Sequence, residues 1–346
     1  TGFCGPSGFA ATGARTPSEL ADTGGYWLWE LLVSKTRTDH ERSQPARSLP
    51  TTITEKSRLS NPPFALHPST SQQPLANHPS PIIIHYSPIT IHPSPMAAIP
   101  YHHGKFPPTG IDWERLVPLI GPATLALGDF RGLLDAVPDA WVLLSPLTTQ
   151  EAVLSSRIEG TQATLGEVLE FEAGGSSAIQ SSEKINDIEE VLNYRMAIHE
   201  AARRLSDLPL CGRLLKEAHA ILMRGVRGRD KAAGEFKTSP NAIGAPGCSV
   251  ETAKFLPIEP EYLADGIARW EAYLHSEQPD LLIQLAVVHA EFEALHPFRD
   301  GNGRLGRMLV PLLLYERKVL RYPALYISEY LEQHREEYYE RLLAVS

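Results

Sequence analysis

Apolar residues recur at helical spacing through most of the chain after Met96. Within the segment 280–295 they follow one another at alternating steps of four and three residues: Leu281, Leu285, Val288, Phe292 and Leu295. Steps of this kind place apolar side chains on one face of an α-helix. The sequence also predicts a helix or a helix pair over residues 111–137, amphipathic helices over residues 184–205 and 213–225, and a helix over residues 261–275. The sequence therefore predicts a bundle of amphipathic helices.

Punctuating residues predict where other helices begin and end. A helix over residues 145–160 would be capped by Ser145, would carry Pro146 at its first position and would end at Gly160. The apolar run LGRMLVPLLLYERK predicts a helix that is kinked or interrupted near Pro311. The run ISEYLEQHREEYYERLL predicts one last helix.

One part of the helical region carries a strand signal. Residues 234–257 combine clusters of Gly, Pro and Asn with short β-prone pieces such as EFKTS and AKFLP. This combination is typical of a hairpin with a long tip. We therefore predict an all-α fold, a mainly helical bundle, with one short β-hairpin.

The first 95 residues have a different composition. They are rich in Pro, Ser, Thr and His and have neither helical nor strand periodicity, so we expect them to be disordered. Met96 is the first methionine, and we expect the natural protein to begin there, with a tag, upstream sequence or a misassigned start before it. A Pro-rich docking arm is the alternative.

Composition and charge exclude several classes of protein. A net charge of -9 and a pI of about 5.8 argue against a protein that coats nucleic acid, since such binding needs clustered Lys and Arg. Three cysteines without metal-ligand spacing indicate neither a disulfide framework nor a zinc site. No apolar run approaches the roughly 20 residues of a membrane-spanning helix. We therefore expect a soluble, cytoplasmic protein that binds no membrane.

The segment HPFRDGNGRLGR, residues 296–307, carries the candidate chemistry. Asp-Gly and Asn-Gly favour hairpin turns, but here a predicted helix enters the turn and another leaves it. Gly301, Asn302 and Gly303 would therefore form a loop that opens onto a helix N-terminus. Backbone N–H groups and the helix dipole favour an anion at that point.

The charged residues of this segment agree with a phosphate site. Arg304 and Arg307 lie in the first turn of the second helix, where two cations are unfavourable unless an anion lies among them. Asp300 could hold a divalent metal that bridges phosphate oxygens, and His296 could accept a proton near neutral pH. Taken alone, His296 could cap a helix C-terminus and Asp300 could be a turn residue. Their concentration within twelve positions favours the phosphate site.

The segment resembles the Fic family motif HxFx(D/E)GNGRxxR. Every specified position is matched: His296, Phe298, Asp300, Gly301, Asn302, Gly303, Arg304 and Arg307. The likeness extends over residues 97–346 and includes an upstream SxxxEG element, residues 155–160, and the segment GEFKTSPNAIGAPG, which is similar to the family's hairpin flap. The resemblance implies a Fic (Fido) bundle, of the class with an inhibitory N-terminal helix.

The resemblance also implies a reaction and its residues. A Ser, Thr or Tyr hydroxyl of a target protein would attack the α-phosphorus of ATP, His296 would take its proton, and pyrophosphate would leave. Asp300 would bind Mg²⁺, and Phe298 would anchor the loop in the core. ATP contacts are expected from residues of the motif and the helix after it: Gly301, Asn302, Gly303, Arg304, Leu305, Gly306, Arg307 and Met308.

Two further regions take roles from the resemblance. Glu159 would pair with Arg307 and block placement of the γ-phosphate, with Ser155 and Gly160 completing the inhibitory element. The flap would dock a strand of the target protein by main-chain hydrogen bonds. Its expected docking residues are Lys237, Thr238, Ser239, Asn241, Ile243 and Gly244.

The resemblance divides the chain into regions. Residues 1–95 would be disordered, 96–205 would form an N-terminal helical region with the inhibitory helix 145–160, and 206–346 would form the catalytic core with the flap 234–257 and the motif 296–307. Similar proteins usually continue past the YYERL helix, often into a winged helix-turn-helix, whereas this chain ends at Ser346. A DNA-linked role is therefore unsupported.

Several alternatives remain open at this point. Some members of the family transfer other phosphate-containing groups or remove AMP, and a nucleotide-sensing binding module is a reading without catalysis. The expected partners are ATP and a target protein, which could be the chain itself, and homodimer formation stays open. Outside the motif, His289 is expected to be a satisfied core histidine, and Glu291 and Glu293 are expected on solvated helix faces.

Overall fold

The computed structural model describes residues 98–174, 181–225, 231–245 and 247–346. The predicted disorder of residues 1–95 and the expected start at Met96 lie outside these ranges. Within them the chain forms two short strands and ten helices: β1 (Ile99–Pro100), α1 (Trp113–Ala136), α2 (Ala140–Ile158), α3 (Leu165–Glu172), α4 (Ser182–Arg204), α5 (Gly212–Leu222), β2 (Phe255–Leu256), α6 (Pro260–His275), α7 (Leu281–Leu295), α8 (Asn302–Glu316), α9 (Ser328–Gln333) and α10 (Arg335–Val345).

Helices α7 and α8 pack against each other at the centre of the bundle. Every residue of α7 except Leu281 and Ala290 is buried. A helix that is buried on all sides belongs to the core rather than to the surface. The indole of Trp270 on α6 packs against α7 and donates from Nε1 to the Val288 carbonyl at 2.9 Å. The predicted mainly helical fold is confirmed, and its two most buried helices flank the HPFRDGNGRLGR segment.

The other helices enclose this pair. Helix α4 packs on α2, α5 and α8, and α2 also contacts α8 and α9. Helix α3 was not predicted, although its start carries a sequence signal. Thr164 accepts a hydrogen bond from the Glu167 backbone N–H, and the Glu167 carboxylate accepts one from the Thr164 backbone N–H. This reciprocal capping box is the T-x-x-E pattern of a helix N-terminus.

The small sheet differs in part from the predicted hairpin. Ile243 and Phe255 form one antiparallel bridge, with the Ile243 N–H donating to the Phe255 carbonyl at 3.0 Å. Strand β2 pairs in parallel with β1, in the register Ile99 to Phe255. A two-residue strand carries no alternating pattern, so the contribution of β1 could not be predicted from periodicity.

The predicted start of one helix and the predicted interruption of another are wrong. Helix α2 begins at Ala140 and contains Pro146, so Ser145 is not its cap. Ala140 and Leu144 are buried, and their packing holds a turn that proline alone would disfavour. Pro311 lies within α8, which continues through it without interruption.

The predicted last helix is divided in two. Helices α9 and α10 are separated at His334, whose backbone has φ -114° and ψ 34°. The His334 ring stacks on Tyr330 with a centroid separation of 4.1 Å. In the ranges that the structure describes, no helix combines the length and apolar composition that a membrane crossing needs.

Candidate functional site

The loop between α7 and α8 is bounded by two left-handed residues. His296 has φ 44° and ψ 60°, and Gly301 has φ 77° and ψ 3°. A side chain disfavours this region by about 1–2 kcal/mol, whereas glycine tolerates it. At Gly301 a Cβ would also lie 3.0 Å from the Met223 sulfur. The loop therefore turns without strain at Gly301 and with strain at His296.

Phe298 and Asn302 hold the loop in the core. The Phe298 ring is fully buried and stacks on His219, with ring centroids 3.9 Å apart. Asn302 Oδ1 accepts from the Phe298 N–H at 2.9 Å, and Asn302 Nδ2 donates to the Phe298 carbonyl at 2.8 Å. The Asn302 side chain is therefore engaged in closing the loop, and its backbone N–H is the part that faces the helix N-terminus.

His219 on α5 is a supporting residue that the sequence did not indicate. The Gly234 N–H donates to its Nδ1 at 2.8 Å, so Nε2 carries the proton and donates to the Asp300 carbonyl at 3.0 Å. Burial lowers the pKa of His219 to about 4, so the neutral ring makes both contacts at neutral pH. A single histidine on an amphipathic helix carries no motif that could have revealed this role.

The His296 ring is neutral and has one free basic nitrogen. Burial, followed by the charge of Lys237, lowers the pKa of His296 to about 4. Its Nδ1 lies 3.4 Å from the Glu293 carbonyl oxygen. A carbonyl can only accept, so Nδ1 carries the proton and Nε2 is the nitrogen that can accept another.

Arg304 lies beside Asp300 at the start of α8 and is incompletely paired. Its Nη2 is 3.6 Å from Asp300 Oδ1, and its Nη1 is 3.5 Å from Glu190. Its buried Nε has no hydrogen-bond partner among the described residues. Asp300 Oδ1 also accepts from the Gly301 N–H at 2.6 Å, and the Asp300 side chain is 43% exposed. A buried guanidinium with long contacts retains donors for an additional anion.

Arg307 is held by the end of α2. Its Nε donates to Ser155 Oγ at 2.8 Å, and its Nη2 donates to the Ser155 carbonyl at 2.9 Å and to Glu159 Oε1 at 2.7 Å. Burial alone raises the pKa of the Glu159 carboxyl, but the charge and hydrogen bond of Arg307 outweigh it, so the pKa lies below its usual value. Gly160, at φ 101°, ends the α2 segment directly after Glu159. The expected contact between Glu159 and Arg307 is thus present, while its inhibitory role stays a prediction.

The glycines of α8 admit two carboxylates. A Cβ at Gly303 would overlap the Glu159 carboxylate, and a Cβ at Gly306 would overlap that of Glu293. Leu305 and Met308, which were expected to contact ATP, are buried in the hydrophobic core. Their side chains pack α8 against the core.

The expectation of solvated faces for Glu291 and Glu293 is wrong, because both lie on the fully packed α7. Glu291 accepts hydrogen bonds from the Tyr101 hydroxyl at 2.6 Å and from His102 Nε2 at 2.8 Å. Glu293 Oε1 is buried, and no hydrogen-bond partner for it lies in the part of the chain that the structure describes. His289 is a core histidine as expected, with Nδ1 donating to the Gly306 carbonyl at 2.9 Å.

We expect Glu293→Gln to stabilise the protein more at pH 8 than at pH 5.5. Burial, assisted by Glu159 and opposed by Arg307, raises the pKa of Glu293 from 4.5 to about 7. Between pH 4.5 and 7 the Glu293 carboxyl keeps a proton in the folded state that the unfolded chain releases. The contribution of Glu293 to the free energy of unfolding is therefore full below pH 4.5 and is lost as the pH rises through 7. Glutamine removes this loss, so the free energy of unfolding of the variant, relative to the natural chain, should increase by about 2–3 kcal/mol between the two pH values. Urea unfolding at both pH values measures it, and an equal difference at both would contradict the prediction.

The flap segment presents two kinds of residue. Thr238, Ser239 and Gly244 are exposed, and Ile243 is half-buried beside β2. Lys237, by contrast, is buried. Its side chain and that of Asn241 are directed towards the loop of His296. They are thus placed differently from the exposed residues expected to meet a target.

These features define a helical domain with a polar loop between two buried central helices. Its sequence matches the Fic/DOC family N-terminal model over residues 117–203 and the Fic/DOC family model over residues 209–314. Together the two ranges take in more than half of the chain. The chain belongs to the Fic/DOC family.

Curated relatives match part of the chain. Over 169 residues it is 28% identical to Protein adenylyltransferase fic-1 of Caenorhabditis briggsae. The aligned region covers 45% of this chain and 30% of that protein. Over 112 residues it is 32% identical to Protein adenylyltransferase Fic of Culex quinquefasciatus, which covers 32% of this chain and 19% of that protein. The match therefore spans less than a third of the length of these relatives.

A solved structure has the same fold. The crystal structure of a Fic family protein from Desulfovibrio desulfuricans G20 superposes with a TM-score of 0.50 at 24% sequence identity. The superposition covers 64% of this chain and 65% of that one. At this identity the likeness supports the fold alone.

Proposed function

We propose that the chain is a protein adenylyltransferase, which moves AMP from ATP to a Ser, Thr or Tyr hydroxyl of a target protein. The observation that carries the proposal is the convergence of His296, Asp300 and the partly unpaired Arg304 on the N-terminus of α8. A base, an acid and cationic donors around a helix N-terminus are the groups that nucleotidyl transfer needs. Membership of the Fic/DOC family and the names of the curated relatives support the same activity.

In the proposed reaction, His296 Nε2 accepts the proton of the target hydroxyl. The hydroxyl oxygen bonds to the α-phosphorus of ATP, and the bond from that phosphorus to the bridging oxygen breaks. Pyrophosphate leaves with the electron pair, and His296 holds the proton as imidazolium. Bound phosphates would raise the low pKa of His296, because nearby negative charge favours its protonated form.

The start of α8 would hold the phosphates. The backbone N–H groups of Gly301, Asn302 and Gly303 lie at the positive end of the helix dipole. That of Gly301 donates to Asp300 Oδ1 and would bind phosphate only after exchanging this partner. Arg304 would supply the donors that its present partners leave unused, and Arg307 would bind the outer phosphate once Glu159 releases it. Gly303 also allows close approach to the helix, because it has no side chain.

Asp300 is the residue that would hold Mg²⁺. Magnesium usually takes one or two carboxylates together with substrate phosphates and keeps several waters. Among the described residues there is no cluster of three or more candidate metal ligands. The half-exposed Asp300 beside the proposed phosphate site agrees with Mg²⁺ binding by one carboxylate together with phosphates and water. When bound, the ion would neutralise phosphate charge.

Glu159 would restrain the enzyme. The γ-phosphate needs the guanidinium of Arg307, which Glu159 and Ser155 already bind. With the pair intact, the triphosphate would lie where its α-phosphorus is poorly aligned with the attacking oxygen.

The target would dock as a strand along the exposed part of the flap.

Labelled ATP tests the proposed activity. We expect radioactivity from ATP labelled at the α-phosphorus, but not at the γ-phosphorus, to become covalently attached to protein in a cell lysate supplied with Mg²⁺ and the chain. EDTA should abolish the attachment. Attachment of the γ-label would instead favour phosphoryl transfer, and release of AMP from modified protein would favour AMP removal. No attachment of either label, even with Glu159→Gly, would favour a binding module and overturn the proposal.

A further inference from the structure

Four consecutive backbone carbonyls around His296 accept hydrogen bonds from two residues of the flap segment. Lys237 Nζ donates to Leu295 O at 3.1 Å, and the Lys237 backbone N–H donates to Pro297 O at 2.8 Å. Asn241 Nδ2 donates to His296 O at 3.2 Å and to Phe298 O at 3.0 Å. The two residues therefore contact the peptide units on both sides of His296.

The two side chains also bind each other. Lys237 Nζ donates to Asn241 Oδ1 at 2.7 Å. This contact orients the Asn241 amide so that its nitrogen faces the carbonyls of the loop. We call Lys237 and Asn241 the backbone clamp.

The burial of Lys237 is costly for a residue with a merely structural role. Its side chain is 3% exposed, and both acceptors of Nζ are neutral oxygens. Burial lowers the pKa of Lys237 to about 7, although the charge of Glu259 opposes the shift. An ammonium group on neutral partners inside a protein is unfavourable by comparison with an apolar side chain of the same length.

The backbone of His296 needs support of this kind. A histidine at φ 44° is in the left-handed region, which costs about 1–2 kcal/mol. The last carbonyls of a helix also lack partners within the helix, and Leu295 O is the last of α7. The clamp supplies a donor to this carbonyl and fixes the peptide units on both sides of the strained residue.

We propose that Lys237 and Asn241 are positioning residues, which hold His296 in its left-handed conformation with Nε2 directed at the target hydroxyl. This role rests on the proposed adenylylation. Because the same two residues belong to the flap, a target strand that docks there would meet a segment already bound to the catalytic loop. Displacement of a base by about 1 Å can cost on the order of 10²-fold in rate.

Two variants with nearly unchanged shape test the clamp. Lys237→Met removes the donor to Leu295, and Asn241→Asp removes the donor to the carbonyls of His296 and Phe298. We expect each to lower the rate of AMP transfer about 10- to 100-fold while the Kd for ATP stays within about threefold. Lys105→Met is the matched control, because Lys105 is exposed and lies outside both the flap 234–257 and the motif 296–307. Transfer at the natural rate in both clamp variants, with the fold intact by circular dichroism, would overturn the proposal.

A titration of His296 by NMR separates this proposal from the proposed activity. The charged groups that act on the ring are Lys237, Glu159 and Asp300. Loss of the lysine charge, or gain of a carboxylate at position 241, should raise the pKa of His296, whether or not the natural chain transfers AMP. An unchanged titration of His296 in both variants would show that the clamp does not act on the ring. If instead the natural chain and Glu159→Gly transfer no AMP but the titration shifts, the proposed activity fails, while the action of Lys237 and Asn241 on the His296 ring is supported.

Discussion

His296→Ala is expected to abolish AMP transfer while ATP still binds. In the proposed reaction the ring accepts the proton of the target hydroxyl, whereas the backbone N–H groups of α8 and the two arginines would hold the phosphates. Loss of a general base typically lowers a rate about 10²- to 10⁴-fold. The measurement is a single-turnover rate of AMP attachment with ATP binding followed by calorimetry.

The matched control for this variant is His103→Ala. His103 is a half-exposed histidine whose ring contacts Glu259 and Tyr262. We expect its rate and its affinity for ATP to equal those of the natural chain. Near-natural transfer by His296→Ala would mean that the ring acts only in the packing of the loop. If His296→Ala loses both ATP binding and AMP transfer, the cause would be a collapsed loop rather than a missing base.

Glu159→Gly is expected to raise AMP attachment by about 10- to 100-fold, including attachment to the chain itself. Without the carboxylate, the Arg307 guanidinium is free to bind the γ-phosphate. Ser155 is neutral, but it still accepts two hydrogen bonds from Arg307 in this variant. The guanidinium should therefore remain near its present place. The glycine replaces a residue at the end of α2, where the backbone cost is below the roughly 1 kcal/mol of a position inside a helix.

The stability of this variant is expected to depend on ATP. Arg307 is 1% exposed. Within the described residues, Glu159 is its only carboxylate partner at hydrogen-bond distance. Removal of Glu159 therefore leaves a buried charge less well paired. ATP would restore a negative partner, so it should raise the melting temperature of Glu159→Gly more than that of the natural chain. Melting curves with and without ATP measure the difference.

Two further variants complete the comparison. Glu159→Gln keeps the size of the side chain and removes its charge, and we expect a rate between those of the natural chain and Glu159→Gly. Adding Arg307→Ala to Glu159→Gly should reverse the gain, because the freed guanidinium is then missing. An unchanged or lower rate in Glu159→Gly, with the fold intact by circular dichroism, would eliminate the inhibitory pairing.

The sequence predicted what depends on local pattern. The spacing of apolar residues located α7, and the glycine-rich turn between two helices located the loop at the start of α8. These two features are set by helix geometry, which neighbouring residues largely determine. The contact of Glu159 with Arg307 was expected from the resemblance to the Fic family, and it agrees with the position of each residue at the helix end that disfavours its charge.

What the sequence did not predict depends on packing between distant segments. His219 supports the loop from α5, and Lys237 turns inward from the flap, although neither belongs to a motif with a structural signal of its own. Glu293 follows a helical pattern that also fits a solvated face, and only the packing of α7 on all sides buries it. The start of α2 was misplaced because Pro146 is a strong local signal that the burial of Ala140 and Leu144 overrides.

The pair of Glu159 and Arg307 lies within one chain, with its members 148 positions apart in sequence. As the proposed restraint, this pair would act at a fixed effective concentration, whatever the amount of protein in solution. Dilution would then not release it, and no separate inhibitor would be needed. Only a competitor for the guanidinium, or a movement of the end of α2, would change the fraction of molecules in which Arg307 is free.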